Sequence, residues 1–223
     1  MLQGLDLSGL VGLDLGCGIG GYDFLLVGNH NVRKVIGVDI DAASLYQARK
    51  KAAKKSFGNA VEFLRVEPGP LPFDDDTFDF AFSKDSIVDI PDKSAVAREL
   101  FRVVCPGGFV VMSDWFRSEE PYTEEMRTWA TTGDETYEMD TLKSAARYLT
   151  EAGFNDVELD DRNDWFREYA RDEYERLKGP LFEVYVDKFG AAQAKSSVEN
   201  ARIRLLLAEQ GQLRPGHIRA FKP

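Results

Sequence analysis

The chain has 223 residues, of which 43% are hydrophobic and 30% charged, and its formal net charge is −10. This length suits one sizeable hydrophobic core rather than two ordinary domains with a linker, and no apolar stretch reaches the roughly 20 residues that a membrane helix needs. The acidic excess disfavours nucleic acid, whose phosphates need a cationic surface. We therefore expect a neutral or cationic small molecule as partner, with a charge that serves only solubility as the alternative.

Apolar runs alternate with amphipathic stretches, which is the pattern of a mostly parallel sheet. We predict strands at residues 11–15, 34–39, 61–66, 78–83, 108–113, 157–161 and 216–222. We predict helices at 42–57, 94–104 and 141–152, and helical structure from 163 to 211 with breaks at 179–180 and near 190. The Cys-Pro-Gly-Gly run at 105–108 is expected to end the helix before it. The predicted fold is a doubly wound, seven-stranded α/β sheet in a single domain, 1–223, with cap insertions at 116–137 and 164–211.

Glycines cluster after the first predicted strand, in the segment Leu13-Asp14-Leu15-Gly16-Cys17-Gly18-Ile19-Gly20-Gly21. Asp39 ends the next strand about 20 residues later, where a carboxylate can accept hydrogen bonds from both hydroxyls of a ribose. The same glycines satisfy the G-x-G-x-x-G pattern of dinucleotide sites, so by themselves they leave an NAD-dependent reductase open. Asp14 favours another ligand, because its carboxylate would repel a pyrophosphate but can hold the ammonium of a methionine moiety.

The glycine segment resembles the cofactor loop of class I S-adenosylmethionine-dependent methyltransferases. Residues 73–83 resemble the fourth-strand signature of that family, and residues 100–108 resemble its corner between a helix and the fifth strand. The resemblance implies a Rossmann-like fold, S-adenosyl-L-methionine as methyl donor and S-adenosyl-L-homocysteine as product. It implies these cofactor-binding residues: Asp14, Gly16, Cys17, Gly18, Gly20, Asp39, Ile40, Glu67, Pro68, Ser83 and Lys84. Glu67 would hold the adenine amino group, and Ser83 and Lys84 would line the methionine side.

Residues 83–93, 111–115, 161–166 and 211–223 are similar to segments of phosphoethanolamine N-methyltransferases and, less closely, of sarcosine and dimethylglycine methyltransferases. This resemblance implies that the acceptor is a small molecule, with an amine as the leading candidate. Methylation of an oxygen or sulfur acceptor is an alternative. A second alternative is a protein that binds the cofactor without catalysis.

Three departures from that family concern the substrate. Asp89 stands where the family has an active-site His, and the sequence begins shortly before its first strand, so we expect it to lack the N-terminal segment that donates a catalytic Tyr. Gly133, Asp134 and Glu135 stand where the family's basic residues hold a phosphate. Desolvated acidic groups there would repel the phosphate of phosphoethanolamine.

Asp85 and Asp89 follow the fourth predicted strand and are the candidate catalytic residues. A carboxylate beside an acceptor amine can hold the ammonium, take up its proton and stabilise the charge that grows on nitrogen. Asp85 also matches a family residue that contacts substrate or cofactor, which makes it a candidate for substrate binding as well. For Asp89, the alternative is that it caps the helix that begins near Pro91-Asp92.

Trp115, Trp129 and Tyr137 are candidate substrate-binding residues, because aromatic faces attract cations. The alternative is that each packs the cap onto the core. No metal is predicted, since the two cysteines and two histidines lack metal-ligand spacing. We expect a cytoplasmic monomer or homodimer that binds neither nucleic acid nor membrane.

Overall fold

The computed structural model describes residues 1–55, 57–132, 135–136 and 139–223. Its strands are β1 (Val11–Leu15), β2 (Lys34–Asp39), β3 (Val61–Arg65), β4 (Phe78–Lys84), β5 (Val104–Arg117), β6 (Thr131–Thr132), β7 (Glu135–Thr136), β8 (Asn155–Asp161) and β9 (Leu213–Phe221). Its helices are α1 (Gly21–His30), α2 (Ala42–Lys55), α3 (Lys93–Val103), α4 (Glu124–Ala130), α5 (Leu142–Ala152), α6 (Asn163–Lys178), α7 (Phe182–Phe189) and α8 (Ala191–Glu209). Within these described ranges, none of the helices combines the length and apolar character needed to cross a membrane.

Seven strands form one sheet in the order β3-β2-β1-β4-β5-β9-β8, which confirms the predicted fold class. β1 pairs in parallel with β2 on one side and with β4 on the other. The chain runs outward from β1 to β3 and then returns to β4, so the strand order reverses between β1 and β4. Open α/β sheets bind ligands at such a point, beyond the carboxyl ends of the strands.

The centre of the sheet is apolar because β4 is buried on both faces. Phe78, Phe80 and Phe82 on one face of this strand are each at most 1% exposed, and Ala81 on the opposite face is 1% exposed. The ring of Phe80 stacks on that of Phe109, with the centroids 5.7 Å apart. Across the pairing, a Cβ on Gly12 would lie 2.2 Å from the Phe80 ring, so β1 requires glycine there. A strand buried on both faces is typical of a parallel sheet flanked by helices on each side.

Side chains and backbone conformation fix the ends of several helices. Asn31 caps the C-terminus of α1: its φ of 53° is left-handed, and its amide donates to the carbonyl of Leu26. Asp92 caps the N-terminus of α3, and its carboxylate accepts from the amide of Ala95 at 2.8 Å. These caps satisfy backbone groups that would otherwise have no partner at the helix ends.

Several predicted boundaries are wrong. The second helix ends at Lys55 instead of residue 57, and the left-handed φ of +57° at Gly58 is incompatible with a continued helix. The Cys-Pro-Gly-Gly run does not end a helix but lies inside β5. Val104 pairs with Phe78 while Phe109 pairs with Phe80, so the extra residues form a bulge in a strand that continues to residue 117. The last strand also starts earlier than predicted, at residue 213.

The chain divides into two compact units. The first comprises Met1–Asp114, Lys143–Leu159 and His217–Pro223 and contains the glycine loop. The second comprises Trp115–Leu142 and Asp160–Gly216, and the insertions predicted at 116–137 and 164–211 fall within it.

Helices form most of the second unit, as the sequence predicts for residues 163–211. α6 packs on α8, and the buried side chains of the two helices include Ala170 from α6 and Ala194 and Ala201 from α8. Phe166 of α6 is 1% exposed and meets the ring of Trp115 edge to face at 5.0 Å. The helical region breaks after Lys178 and at Gly190, close to the predicted positions.

Candidate functional site

A cavity of about 550 Å³ lies at the carboxyl ends of β1, β2 and β4, where the strand order reverses. This volume is within the range of small-molecule sites. The predicted cofactor residues that line it are Asp14, Gly16, Cys17, Gly18, Asp39, Ile40 and Lys84. Both predicted catalytic residues, Asp85 and Asp89, line the same cavity. All of these residues belong to the first unit.

Backbone hydrogen bonds hold the glycine loop against the end of β2. The amides of Gly16 and Cys17 both donate to the carbonyl of Val38, at 2.9 and 3.0 Å. Gly16 has a φ of +74°, and a Cβ there would lie 2.3 Å from the side chain of Ser86. A glycine is therefore required both by the backbone conformation and by the close approach of Ser86. Gly18 also has a positive φ, of +52°, but a Cβ there would meet open space.

The carboxylate of Asp39 links the glycine loop to the start of α2. Its Oδ2 accepts from the amide of Gly18 at 2.8 Å, and its Oδ1 accepts from the amide of Asp41 at 2.8 Å. Each carboxylate oxygen has a second lone pair. Asp39 is thus fixed in orientation, and its oxygens keep acceptor capacity at the cavity wall.

Asp14 lines the cavity although it is only 2% exposed. A second carboxyl, that of Asp23 on α1, is 0% exposed and interacts with it. Burial and the charge of Asp23 raise the pKa of Asp14 well above its ordinary value. Burial likewise raises the pKa of Asp23 to about 6. Both shifts have the direction expected for carboxyls removed from water.

The thiol of Cys17 is a packing group in this cavity wall. Cys17 is 8% exposed, and burial, together with the carboxyls of Asp23 and Asp14, raises the pKa of its thiol. A thiol is nucleophilic only as the thiolate. Cys17 is therefore not suited to act as a nucleophile.

Three hydrogen bonds hold the loop after β4 in place. The hydroxyl of Ser86 donates to the carbonyl of Gly16 at 2.9 Å. The amide of Val88 donates to Oδ2 of Asp114 at 3.0 Å, and Lys93 Nζ donates to the carbonyl of Ile90 at 2.9 Å. These bonds fix the backbone that carries the two candidate catalytic carboxylates.

Asp85 and Asp89 present their carboxylates from this loop in different ways. Asp85 has a left-handed φ of 52° and forms an ion pair with Lys84. Although burial opposes it, the contacts with Asp85 and Tyr22 raise the pKa of Lys84. Asp89 is exposed and ends the short turn Ile87–Asp89. The alternative that Asp89 caps the following helix is wrong, because Asp92 is that cap.

Four predicted cofactor residues do not belong to the cavity wall in the described part of the chain. Ser83 is 1% exposed and donates to the carbonyl of Leu15 at 2.9 Å. Gly20 lies behind the loop, where a Cβ would be 2.5 Å from the Phe63 ring. Glu67 is exposed and pairs with Arg65 at 3.5 Å, and Pro68 beside it is exposed. Val66 lines the cavity in this segment, and a ligand contact of Glu67 stays a prediction.

Two of the candidate substrate-binding aromatics, Trp115 and Trp129, belong to the second unit. Trp115 packs edge to face on Phe166, and Trp129 Nε1 donates to Oδ1 of Asn200 at 3.3 Å. Tyr137, Gly133 and Asp134 lie outside the described residues, as does the side chain of Glu135. Their predicted roles toward a substrate stay predictions.

Tyr22 and Ser86 are among the residues of the cavity wall that sequence reasoning missed. Tyr22 is 41% exposed, and Lys84 Nζ lies 5.5 Å from the centroid of its ring. An aromatic side chain directly after the glycines was a usable signal for Tyr22. Ser86 had no such signal, because its place depends on the absence of a side chain at Gly16.

A family model and two related sequences match most of the chain. The model of the family described as "Methyltransferase domain" matches residues 6–159. A phosphoethanolamine N-methyltransferase of Triticum aestivum is 32% identical over 213 residues, which are 95% of this chain and 41% of the relative. Phosphoethanolamine N-methyltransferase 1 of Arabidopsis thaliana is 32% identical over 166 residues, 74% of this chain and 33% of the relative. The chain thus spans less than half the length of these relatives.

Solved structures show the same fold. A phosphoethanolamine N-methyltransferase 2 of Haemonchus contortus, in complex with phosphomonomethylethanolamine and S-adenosylhomocysteine, superposes with a TM-score of 0.88 at 23% identity. The match covers 99% of this chain and 50% of the Haemonchus contortus chain. A protein of Galdieria sulphuraria, described as a putative sarcosine dimethylglycine methyltransferase, gives a TM-score of 0.83 at 20% identity, with 96% and 79% of the two chains covered.

Proposed function

The chain belongs to the methyltransferase domain family, and we propose that it transfers a methyl group from S-adenosylmethionine to the nitrogen of a small amine. The observation that carries this proposal is the cavity where the strand order reverses, in which the buried Asp14, the glycine loop and Asp39 line one space. The plant relatives, which are named as phosphoethanolamine N-methyltransferases, support a small amine as the class of acceptor.

The residues of the cavity fit S-adenosylmethionine. Asp14 would hold the ammonium of its methionine moiety, and Asp39 would accept hydrogen bonds from its ribose hydroxyls. Ile40 and Val66 supply apolar surface in the same wall. When bound, the molecule supplies an electrophilic methyl group on a sulfonium. A dinucleotide fits less well, because its pyrophosphate would meet an acidic wall.

Methyl transfer is an in-line displacement that requires alignment and a free lone pair on the acceptor. We assign the handling of the acceptor to Asp85 and Asp89, which line the cavity from the loop after β4. Their carboxylates would hold the substrate ammonium and take up the proton that leaves the nitrogen. The ion pair with Lys84 keeps Asp85 at the wall. Trp115, Trp129 and Tyr137 are proposed to offer aromatic faces to a cationic substrate.

The charge of the cavity wall supports a neutral or cationic acceptor. Lys84, a cation in that wall, is already paired with Asp85, while Asp39 and Asp89 add negative charge. An anionic group on the acceptor would be repelled there. The two free thiols, Cys17 and Cys105, fit a reducing compartment, and we propose a cytosolic monomer or homodimer that does not act on nucleic acid.

The test combines binding with turnover. Isothermal titration should show binding of S-adenosylmethionine and S-adenosylhomocysteine but not of NAD or NADP. A panel of primary, secondary and tertiary small amines, each with and without a phosphate, should then yield S-adenosylhomocysteine and a methylated amine for at least one phosphate-free member. Tight binding without any methylated product would favour a non-catalytic binding protein. Failure to bind either sulfur compound at millimolar concentration would overturn the proposal.

A further inference from the structure

The carboxyl of Asp23 is buried without a hydrogen-bond donor. The residue is 0% exposed, and neither of its oxygens meets a donor at hydrogen-bonding geometry in the described part of the chain. An unpartnered buried carboxylate is costly, because its charge has lost the solvation of water. The proposed function and its mechanism do not use this residue.

Two features of the chain make room for this carboxyl beneath the cavity. α1 follows the glycine turn and packs against β2. A Cβ on Gly37 of β2 would lie 2.6 Å from Asp23 Oδ1 and 2.9 Å from Cys17 Sγ. Gly37 pairs with Asp14 across the sheet. The carboxyls of Asp23 and Asp14 therefore lie side by side at a place that only glycine leaves open.

Within the described residues, no Lys or Arg side chain forms an ion pair with either of these two carboxyls. The charge of Asp39 at the end of β2 raises the pKa of Asp14, and the carboxyls in turn raise the pKa of the Cys17 thiol in the glycine loop. At the cavity wall, Lys84 is paired with Asp85. The remaining charged residues of β2, β3 and β4 have other partners: Lys34 pairs with Glu62, Arg65 pairs with Glu67, and Asp79 accepts from the amide of Val11.

Two carboxylates in contact are both acceptors, so their contact becomes a hydrogen bond only when one of them carries a proton. Like charges at close range in a buried site cannot both ionise at ordinary pH, and such a pair titrates as a unit. A proton held between Asp14 and Asp23 would bond the two carboxyls and leave the pair with one negative charge at the cavity wall. That single charge matches one ammonium.

We propose that Asp14 and Asp23 share one proton in a hydrogen bond between them, and that Asp23 is a positioning residue that holds the Asp14 carboxyl in place, so that the pair offers one negative charge to a ligand ammonium. The binding part of this inference rests on the proposed function. The sharing of the proton does not, and it can be measured on the protein without any ligand.

The first experiment measures the Kd for S-adenosylmethionine by isothermal titration from pH 6 to pH 9. Asp23→Asn keeps a donor at this position and cannot titrate, so its Kd should stay within about threefold of the original protein at pH 7. Asp23→Leu has similar volume but no hydrogen-bonding group to hold Asp14 in place, so its Kd should rise about tenfold or more at pH 7. Asp79→Asn is the matched control. It replaces a half-buried carboxylate outside the cavity and should leave the Kd unchanged.

The second experiment titrates the side-chain carboxyl carbons of the unsubstituted protein by NMR. Two carboxyls should titrate as a coupled pair. In Asp23→Asn, only one carboxyl of the pair remains, and it should titrate in a single transition. Ordinary, independent titration of both carboxyls would overturn the inference, and so would an Asp23→Asn variant that binds as weakly as Asp23→Leu. If the coupled titration is present but no variant binds S-adenosylmethionine, the proposed function fails and the shared proton stands. The NMR result decides the matter even if Asp23→Leu does not fold.

Discussion

The backbone amide of Gly18 donates a 2.8 Å hydrogen bond to Oδ2 of Asp39. This bond joins the glycine loop after β1 to the end of β2, and it aligns the carboxylate along the cavity wall. The loop and the acidic residue thus form one binding element, although 21 positions separate them in the sequence.

Replacement of Asp39 tests this element. Asp39→Asn removes the charge and one acceptor, so we expect the Kd for S-adenosylmethionine to rise by about tenfold or more, as for the loss of a hydrogen bond to a charged group. Isothermal titration measures the effect. Asp41→Asn is the matched control, since Asp41 accepts from the amides of Ala43 and Ser44 and Asn also caps helices. Equal losses in the two variants would contradict the role of Asp39.

Gly16→Ala should destabilise the protein by about 2 to 5 kcal/mol, because a left-handed residue with a Cβ is strained and the new Cβ overlaps the side chain of Ser86. Urea unfolding measures the change. Gly4→Ala is the control: Gly4 also has a positive φ, of +83°, but a Cβ there meets nothing within 4 Å, so only the conformational cost of about 1 to 2 kcal/mol remains. Adding Ser86→Gly should recover part of the loss in Gly16→Ala, and no recovery would contradict the overlap.

The raised pKa of Asp23 predicts how stability depends on pH. The pKa is about 6 in the folded chain against 3.8 for the free group, so the folded state binds the proton more tightly. The contribution of Asp23 is then fully present below pH 3.8 and is lost as the pH rises through about 6.

Asp23→Asn removes this dependence. Its free energy of unfolding, relative to the original protein, should increase between pH 4 and pH 6, by on the order of 1.4 kcal/mol for each unit of pKa shift, and level off above about pH 7. Asp6→Asn is the control, because hydrogen bonds with Ser8 lower the pKa of Asp6, and its effect has the opposite sign and lies at lower pH. A flat difference for Asp23→Asn would show that Asp23 titrates normally.

Replacing the carboxylates of the loop after β4 should lower turnover more than it weakens cofactor binding. For Asp85→Asn and Asp89→Asn we expect kcat with the best amine of the panel to fall by about a hundredfold or more, the usual size for loss of an acid–base group. The Kd for S-adenosylmethionine should stay within about threefold. Asp92→Asn is the control, since Asn can replace Asp92 as the cap of α3. Unchanged kcat in both loop variants would remove them from the mechanism.

Much of this molecule follows from short-range patterns in the sequence. The alternation of apolar runs and amphipathic stretches predicts the order of strands and helices, and the breaks near residues 179 and 190 separate α6, α7 and α8 as expected. The glycine loop, Asp14 and Asp39 were found for the same reason, because a strand, a turn and the next strand carry their own signals in consecutive residues.

Pairing between strands was harder to predict. The Pro-Gly at Pro106 and Gly107 is a signal for the end of a helix, yet it lies within β5, because Val104 and Phe109 pair with neighbouring parts of β4 on either side of it. Asp89 looked like a helix cap by its distance from Pro91, whereas Asp92 makes that bond.

The sequence by itself determined the strand order along the chain, the glycine turn and the two acidic residues at the ends of β1 and β2, since each depends on neighbours within a few positions. Only the tertiary structure decided that Asp23 meets Asp14, that Ser86 closes over Gly16, and that Tyr22 enters the cavity wall. Those contacts depend on which backbone lies opposite and on whether it carries a side chain there. Periodicity along one segment holds no information about that.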